Sequence, residues 1–274
     1  MMACIVFLLT GCLEPAPPRL ESAGIGVSNL ERSTDFYSRV IGMDIRCQAG
    51  TDTMDKVTLE FSDSKGSDLI LMHYTDGSQP NYANNPVKLV FYVPDAIALA
   101  QAIAAEGLRI LAWPSLQYGT LVGIAVDPDG YWIEIVEDRT AEKPYLGAVG
   151  IGVSDLESSG DFYSRVMGMT EQYRLSLGFM DEIILQIENG GGSAVVLMHY
   201  ATPRNYKDLP VKLTYCVTDP QQTIEDIRGE GLEIHVSPRP KPKFNPLAYG
   251  LAKDPDGYLL EIVQSVQPRK ETKK

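Results

Sequence analysis

Short apolar runs rich in β-branched residues recur through the first half of the chain. Runs of this length between turn residues predict strands. They lie near residues 22–28, 43–48, 56–62, 68–75, 87–93, 108–113, 120–127 and 131–137. Two stretches between them have the 3.6-residue apolar period of a helix. The predicted order of elements is therefore βαβββ followed by a second βαβββ.

The two predicted helices have recognisable ends. The first covers residues 30–41, and Ser28 with Glu31 three residues later forms a capping-box pattern at its start. The second covers residues 96–106 and stops before Gly107, a residue type that commonly follows the last turn of a helix.

The second half of the chain repeats the first at an offset of about 126 residues. The segments GIGVS, DFYSRV, LMHY, PVKL and DPDGY return in the same order. We therefore predict an α+β protein of two tandem domains, residues 21–138 and 146–265, which together contain four βαβββ modules. A polar tail, residues 266–274, follows them.

Composition narrows the function classes. The 274 residues carry 24 Lys and Arg against 36 Asp and Glu, a net charge of −12, which argues against nonspecific binding to nucleic acid. No apolar run of about 18 or more residues occurs, so no ordinary transmembrane helix is predicted. Because the chain has only 3 histidines, a site with two His ligands can be built at most once.

The N-terminus has the features of an export signal. Residues 3–9 are apolar and are followed by Leu9-Thr10-Gly11-Cys12. These four residues resemble a bacterial lipobox, which implies lipidation of Cys12, removal of the preceding residues, and a Pro-rich tether over residues 13–20. The implied location is the periplasmic side of the cell envelope. The alternative is an apolar N-terminal strand in a cytoplasmic protein.

Two further cysteines, Cys47 and Cys216, lie one in each half. They are either two buried thiols or a disulfide that joins the halves. No CxxC redox or zinc pattern surrounds them.

The first helix with its following Gly-Met (LERSTDFY, then Gly42-Met43) and the terminal DPDGYWIE segment resemble glyoxalase I. More broadly they resemble the vicinal oxygen chelate superfamily, which includes bleomycin-resistance proteins and extradiol dioxygenases. The resemblance implies that paired βαβββ modules curl into half-open barrels around a cavity. In the enzymes of the family that cavity holds a divalent metal.

The resemblance also indicates where the metal ligands would lie. The four positions are Ser22, Leu71, Lys88 and Glu134 in the first half and Ala148, Leu197, Lys212 and Glu261 in the second. Leu and Ala have no lone pairs to donate, and a protonated Lys repels a cation. Because transition-metal sites generally need three or four N, O or S ligands, the sequence predicts no cofactor.

His73 and His199 lie two residues beyond Leu71 and Leu197, and we expect them to face the cavity with those positions. The alternative to a metal-free site is therefore one divalent metal, such as Zn, Ni or Fe, held by unconventional ligands such as His73 and Glu134. Without a metal, the two histidines are candidate ligand-binding residues.

Two interpretations of the Lys88–Glu134 and Lys212–Glu261 pairs remain open. In one, each lysine holds an anionic or enolate-like oxygen of a bound molecule, and each Glu serves as a general base. In the other, each pair is a structural ion pair that seals the cavity. Trp132 is a candidate stacking surface beside Glu134, and its counterpart Leu259 is not aromatic. The Asn81-Tyr82 and Asn205-Tyr206 loops are candidates for the cavity rim.

Three functions follow as hypotheses. The first is a lipoprotein that binds a small molecule without a metal, by sequestration as in bleomycin-resistance proteins. The second is a glyoxalase I-like (lactoylglutathione lyase-related) lyase or another metal-dependent enzyme such as a dioxygenase. The third is a purely structural module. The expected partner is a small molecule, membrane contact is limited to the lipid anchor, and the chain is expected to be a monomer or a weak homodimer.

Overall fold

The computed structural model describes residues 17–62, 65–78, 86–188, 191–204, 206, 209–238 and 248–265. The helices are α1 (Leu30–Asp35), which continues as a π-helical turn (Phe36–Val40), α2 (Ala96–Ala105), α3 (Leu156–Arg165) and α4 (Pro220–Gly229). The first-half strands are β1 (Arg19–Gly26), β2 (Asp44–Gly50), β3 (Met54–Glu60), β4 (Asp68–Tyr74), β5 (Val87–Val93), β6 (Ile110–Gln117), β7 (Thr120–Val126) and β8 (Trp132–Glu137). The second-half strands are β9 (Tyr145–Gly152), β10 (Met169–Ser176), β11 (Met180–Ile187), β12 (Gly191–Gly192), β13 (Ala194–Tyr200), β14 (Val211–Val217), β15 (Ile234–Val236), β16 (Tyr249–Lys253) and β17 (Leu259–Gln264).

The predicted α+β order of elements is confirmed, with strand ends shifted by a few residues. No helix in the described ranges is long and apolar enough to cross a membrane. The tail, the Asn81-Tyr82 loop, Asn205 and the N-terminal segment with Cys12 lie outside the described residues.

The four modules pair across the two halves of the chain. One sheet has the order β15-β16-β17-β14-β1-β4-β3-β2, with β12 also against β1, and joins the first and fourth modules. The other has the order β10-β11-β13-β9-β5-β8-β7-β6 and joins the third and second modules. We call them the 1/4 sheet and the 2/3 sheet. Each sheet therefore needs both halves, through the antiparallel pairs β1–β14 and β5–β9.

The larger apolar core of the described residues lies between the helices and one face of each sheet. It includes Phe36 of the first helical segment, Ile103 of α2, Leu71 of β4 and Leu89 of β5. Cys47 and Cys216 are both free thiols, so the alternative of a disulfide between the halves is wrong. They lie on β2 and β14, two strands of the 1/4 sheet that do not pair with each other.

The predicted N-cap of the first helix is wrong by one residue. Asn29 caps α1 by accepting a hydrogen bond from the Arg32 backbone N–H, and Asp155 caps α3 in the same way by accepting from the Ser158 backbone N–H. The Ser28 N–H is instead donated to Asp129 of the DPDG turn. The turn therefore anchors the start of the helix as well as reversing the chain.

The first aspartate of each DPDG turn is buried and holds the two modules of one half together. The Tyr37 hydroxyl donates to Asp127 at 2.8 Å, and the Tyr163 hydroxyl donates to Asp254 at 2.7 Å. Burial raises the pKa of each carboxyl to about 7, although the tyrosine hydrogen bond acts in the opposite direction.

Replacement of Asp127 by Asn is expected to cost most stability near pH 4 and progressively less toward pH 7. An unfolded aspartate ionises near pH 3.9, so between the two pKa values the folded state holds a proton that the unfolded state has lost. That difference lowers the wild type's free energy of unfolding by up to about 1.4 kcal/mol per pH unit, and the Asn variant lacks the effect. Urea unfolding at several pH values measures it. A cost that grows with pH would mean that the carboxyl is ionised in the fold.

Candidate functional site

Each sheet packs one face against helices. We use the term open face for the opposite face, whether or not its side chains are buried. Side chains alternate along a strand, and Leu89 and Phe91 of β5 lie in the core, so Lys88 and Val90 lie on the open face. In the 2/3 sheet this face is buried although no described helix packs on it: Met198 is 0% exposed. A buried face without a covering helix indicates that the sheet curls around it.

An apolar cluster lines the open face of the 2/3 sheet. Its buried members are Val90, Ala148, Met180, Ala194, Val196, Met198 and Tyr200, with Tyr92, Trp132, Val136 and Ile184 packed against them. The predicted stacking residue Trp132 contacts Tyr200 edge to face at 6.4 Å between ring centroids. The Arg204 guanidinium lies 4.3 Å from the Tyr200 centroid.

Three charged side chains meet within this apolar surface. The Lys88 ammonium lies 2.7 Å from Glu134 Oε2 and 2.8 Å from Glu182 Oε1. The Lys88 and Glu182 side chains are 6% and 4% exposed, and that of Glu134 is 20% exposed. Burial opposes the ammonium form of Lys88, but the two carboxylates outweigh burial and raise its pKa above the ordinary value.

The equivalent residues of the 1/4 sheet form a different cluster. Lys212 Nζ lies 2.5 Å from Glu261 Oε2, and the Thr214 hydroxyl donates to the same oxygen at 3.0 Å. Burial alone would raise the pKa of Glu261, but the Lys212 ammonium holds it below the ordinary value. Burial and the nearby Lys212 charge lower the pKa of Lys56 on β3.

The structure therefore brings together both predicted Lys–Glu pairs and adds a third residue to each. Glu182 pairs in register with Met198, and Lys56 pairs in register with Met72. The two occupy equivalent positions but carry opposite charges. Sequence comparison missed them, because the repeat was detected through residues that match. The sequence did hold a signal: the two halves differ at this position, with Lys56 in the first half and Glu182 in the second. Glu182 in particular interrupts a row of apolar residues on its strand.

His73 and His199 do not face the open side, so that expectation is wrong. Leu71, two residues before His73, lies in the core under the helices. Each His Nδ1 instead lies within hydrogen-bonding distance of a backbone carbonyl, at 3.0 Å from Val27 and 3.1 Å from Val153. The strand register was misjudged by one residue, which exchanges the two faces of a strand.

Methionines occupy the open face of β4 and β13 instead. A Cβ placed on Gly24 would lie 3.2 Å from Met72 and 3.3 Å from Lys212 Cβ, which puts Met72 and Lys212 on the same side. The resemblance-based ligand positions Leu71 and Leu197 are therefore on the wrong face.

The residues present do not fit a bound divalent metal. In the described part of the chain, no three His, Cys, Asp or Glu side chains are placed to hold one. An ammonium lies between the carboxylates of the 2/3 sheet, and the carboxylate of the 1/4 sheet is paired with the Lys212 ammonium. Ammonium groups donate hydrogen bonds but have no lone pair for a metal.

A cavity of about 440 Å³ lies where β5 and β8 of the 2/3 sheet end, and Lys88, Glu134 and Glu182 are not among its lining residues. Its lining includes Tyr92 of β5 and Val136 of β8, which lie on the same faces of these strands as Lys88 and Glu134. Leu116, Glu137 and Asp138 also line it. Its size is in the range of small-molecule pockets, roughly 300–1,000 Å³.

Comparisons with known proteins agree with this architecture. Glyoxalase I from Zea mays has a TM-score of 0.77 at 21% identity, covering 90% of this chain and 92% of that one, which shows the shared fold. A lactoylglutathione lyase of Neisseria meningitidis is 27% identical over 130 residues, 45% of this chain and 94% of that protein. One from Arabidopsis thaliana is 22% identical over 166 residues, 56% of this chain, and the match spans only 58% of that relative's length.

The sequence profile of the Glyoxalase/Bleomycin resistance protein/Dioxygenase superfamily matches residues 19–135 and 145–262. These two segments take in both sheets and all four helices. The chain therefore belongs to the Glyoxalase/Bleomycin resistance protein/Dioxygenase superfamily.

Proposed function

We propose that this protein binds a small molecule, without a metal, on the open face of its 2/3 sheet. The observation that carries the proposal is the Lys88 ammonium held between Glu134 and Glu182. In this cluster the lysine supplies the positive charge that a metal would otherwise bring to the carboxylates. The apolar walls around the cluster suit an organic ligand, and a cavity of ligand size lies farther along β5 and β8.

The proposal assigns the charged cluster a role in orienting the ligand. Polar groups in a mostly apolar pocket fix orientation and provide specificity. Lys88 already contacts two carboxylates, so it is poorly placed to hold an anionic oxygen as well. Glu134, the more exposed of the two acids, is the group best placed to meet a ligand.

A glyoxalase I-like lyase is the second candidate. The curated relatives named lactoylglutathione lyase favour it. Such a function would require metal ligands other than the residues at the positions that the family resemblance indicates. The location at the cell envelope and the lipidation of Cys12 remain predictions from the sequence, because that segment is outside the described residues.

Metal binding separates the two candidates. Residues 17–274 are dialysed against Zn²⁺, Ni²⁺, Fe²⁺ or Mn²⁺, freed of loose ion by gel filtration, and analysed for metal by mass spectrometry. We expect far less than one metal per chain, because the donor set contains ammonium groups. A stoichiometry of one or two per chain would contradict the proposal and favour the lyase.

The variant Lys88→His is the matched positive control. It places an imidazole between Glu134 and Glu182 and so assembles a His and two carboxylates, the ligand count of many catalytic zinc sites. Zinc retained by this variant but not by the wild type would show that the assay detects a site at this position and that Lys88 prevents binding.

A further inference from the structure

The two charged clusters have opposite net charge. Around Lys88, one ammonium meets two carboxylates, those of Glu134 and Glu182. Around Glu261, one carboxylate forms an ion pair with Lys212, and Lys56 lies near enough to lower its pKa as well. The 2/3 cluster therefore carries an excess negative charge, and the 1/4 cluster carries an excess positive charge.

The excess negative charge lies in apolar surroundings. The Glu182 side chain is 4% exposed, and its neighbours on the open face include Met180, Ile184 and Met198. A charge in such a place is costly unless it is paired. Arg204 is a further cation on this face, with its guanidinium on the Tyr200 ring, but within the described ranges it makes no ion pair with either carboxylate. Within the ion-paired cluster, two carboxylates therefore share a single ammonium.

The edges of the 2/3 sheet are aromatic and exposed. The large exposed apolar side chains are Leu111, Trp113, Leu116 and Tyr118 at the β6–β7 edge and Tyr173, Leu177 and Phe179 at the β10–β11 edge. The repeat places polar or small residues at equivalent positions of the 1/4 sheet, among them Cys47, Thr51, Thr53, His235 and Ser237. Among the described residues, the edges of the 1/4 sheet expose one large apolar side chain, Ile45 of β2, whereas exposed aromatic side chains lie at both edges of the 2/3 sheet.

We propose that the ligand of the 2/3 sheet is an organic cation with an aromatic body. This inference rests on the proposed function and deepens it. The cationic group is bound by Glu134 and Glu182 beside Lys88, and the aromatic body packs on Trp132 and the rim. Cation–π contact is already present on this face between Arg204 and Tyr200. The 1/4 sheet does not take this ligand.

Two dyes with the same xanthene ring system and opposite charge test the proposal. Rhodamine 6G is a cation and fluorescein is a dianion, and fluorescence anisotropy measures the binding of each to residues 17–274. We expect rhodamine 6G to bind at one site per chain, and fluorescein to bind at least about tenfold more weakly.

The matched variants are Glu182→Gln and Lys56→Gln, which alter equivalent positions of the two sheets. Glu182→Gln removes the excess charge and leaves the Lys88–Glu134 pair intact, so it should fold and bind rhodamine 6G about tenfold more weakly. Lys56→Gln should leave rhodamine 6G binding unchanged. Circular dichroism verifies that both variants are folded.

Fluorescein bound in preference to rhodamine 6G would overturn the proposed ligand charge and leave the small-molecule function standing. Two rhodamine sites per chain, or loss of binding in Lys56→Gln, would overturn the assignment to the 2/3 sheet. Binding of neither dye would overturn the organic-cation proposal, whereas failure of the metal-free function is detected separately by the metal analysis.

Discussion

Replacement of Lys88 by methionine is expected to lower the free energy of unfolding by about 3–5 kcal/mol. Methionine nearly matches the lysine in length and removes only the ammonium. The Glu134 and Glu182 carboxylates then lie near each other without a cation, and Glu182 is almost inaccessible to water. Urea unfolding without ligand measures the loss. A loss under about 1 kcal/mol, the size of a surface ion pair, would contradict the geometry.

Lys212→Met is the matched control on the other sheet. Its partner Glu261 is 27% exposed, keeps the Thr214 hydrogen bond, and lies near Lys56, so we expect a loss on the order of 1–2 kcal/mol. The triple variant Lys88→Met, Glu134→Gln, Glu182→Leu should regain most of the stability, because buried ion pairs can often be replaced by well-packed neutral residues. Retained stability with lost ligand binding would identify the charges as functional.

The fold was predictable because its signals are local. The Gly after α2 and the short apolar runs each indicate one segment, the capping pattern missed the start of the first helix by only one residue, and the repeat doubles the information. The pairing of Lys88 with Glu134 was also predictable, since both lie at positions where the family's metal ligands converge. All of these predictions compare one short segment of the sequence with a known pattern.

The orientation of His73 was not predictable in this way, because the argument depended on which of two adjacent residues faces the helices. Leu71 and Met72 are both apolar, so the pattern of β4 does not distinguish its faces. The three-dimensional structure settles it, because Met72 and Lys212 both approach the same side of Gly24. Glu182 was hidden for another reason: it departs from the repeat, and its importance lies in its contact with a residue of the other half.

The pairing of modules across halves was left open by the sequence for a physical reason. The second and fourth modules are alike, so β1 has two similar candidate partners, β5 and β14. The hydrophobic pattern of a strand specifies which face is buried but not which of two similar strands lies beside it. The structure pairs β1 with β14 and β5 with β9, which makes the two halves mutually dependent.

This dependence predicts that residues 17–141 alone will form a dimer. In the isolated half, β1 lacks β14 and β5 lacks β9, so two apolar sheets each end in an unpaired edge. Open edges of this kind pair with another chain. A second copy offers β5 to β1 and β1 to β5, which rebuilds both sheets with two-fold symmetry.

Size-exclusion chromatography with light scattering should give twice the mass of the half-chain, whereas residues 17–274 should remain monomeric. Addition of residues 142–265 is the control, since the two halves should exchange into a 1:1 complex that restores the native pairing. A folded, monomeric half-chain would mean that β1 and β5 can pair within one half. In that case, the pairing of modules across the halves would be determined by the linker that joins them and not by the complementarity of the strand edges.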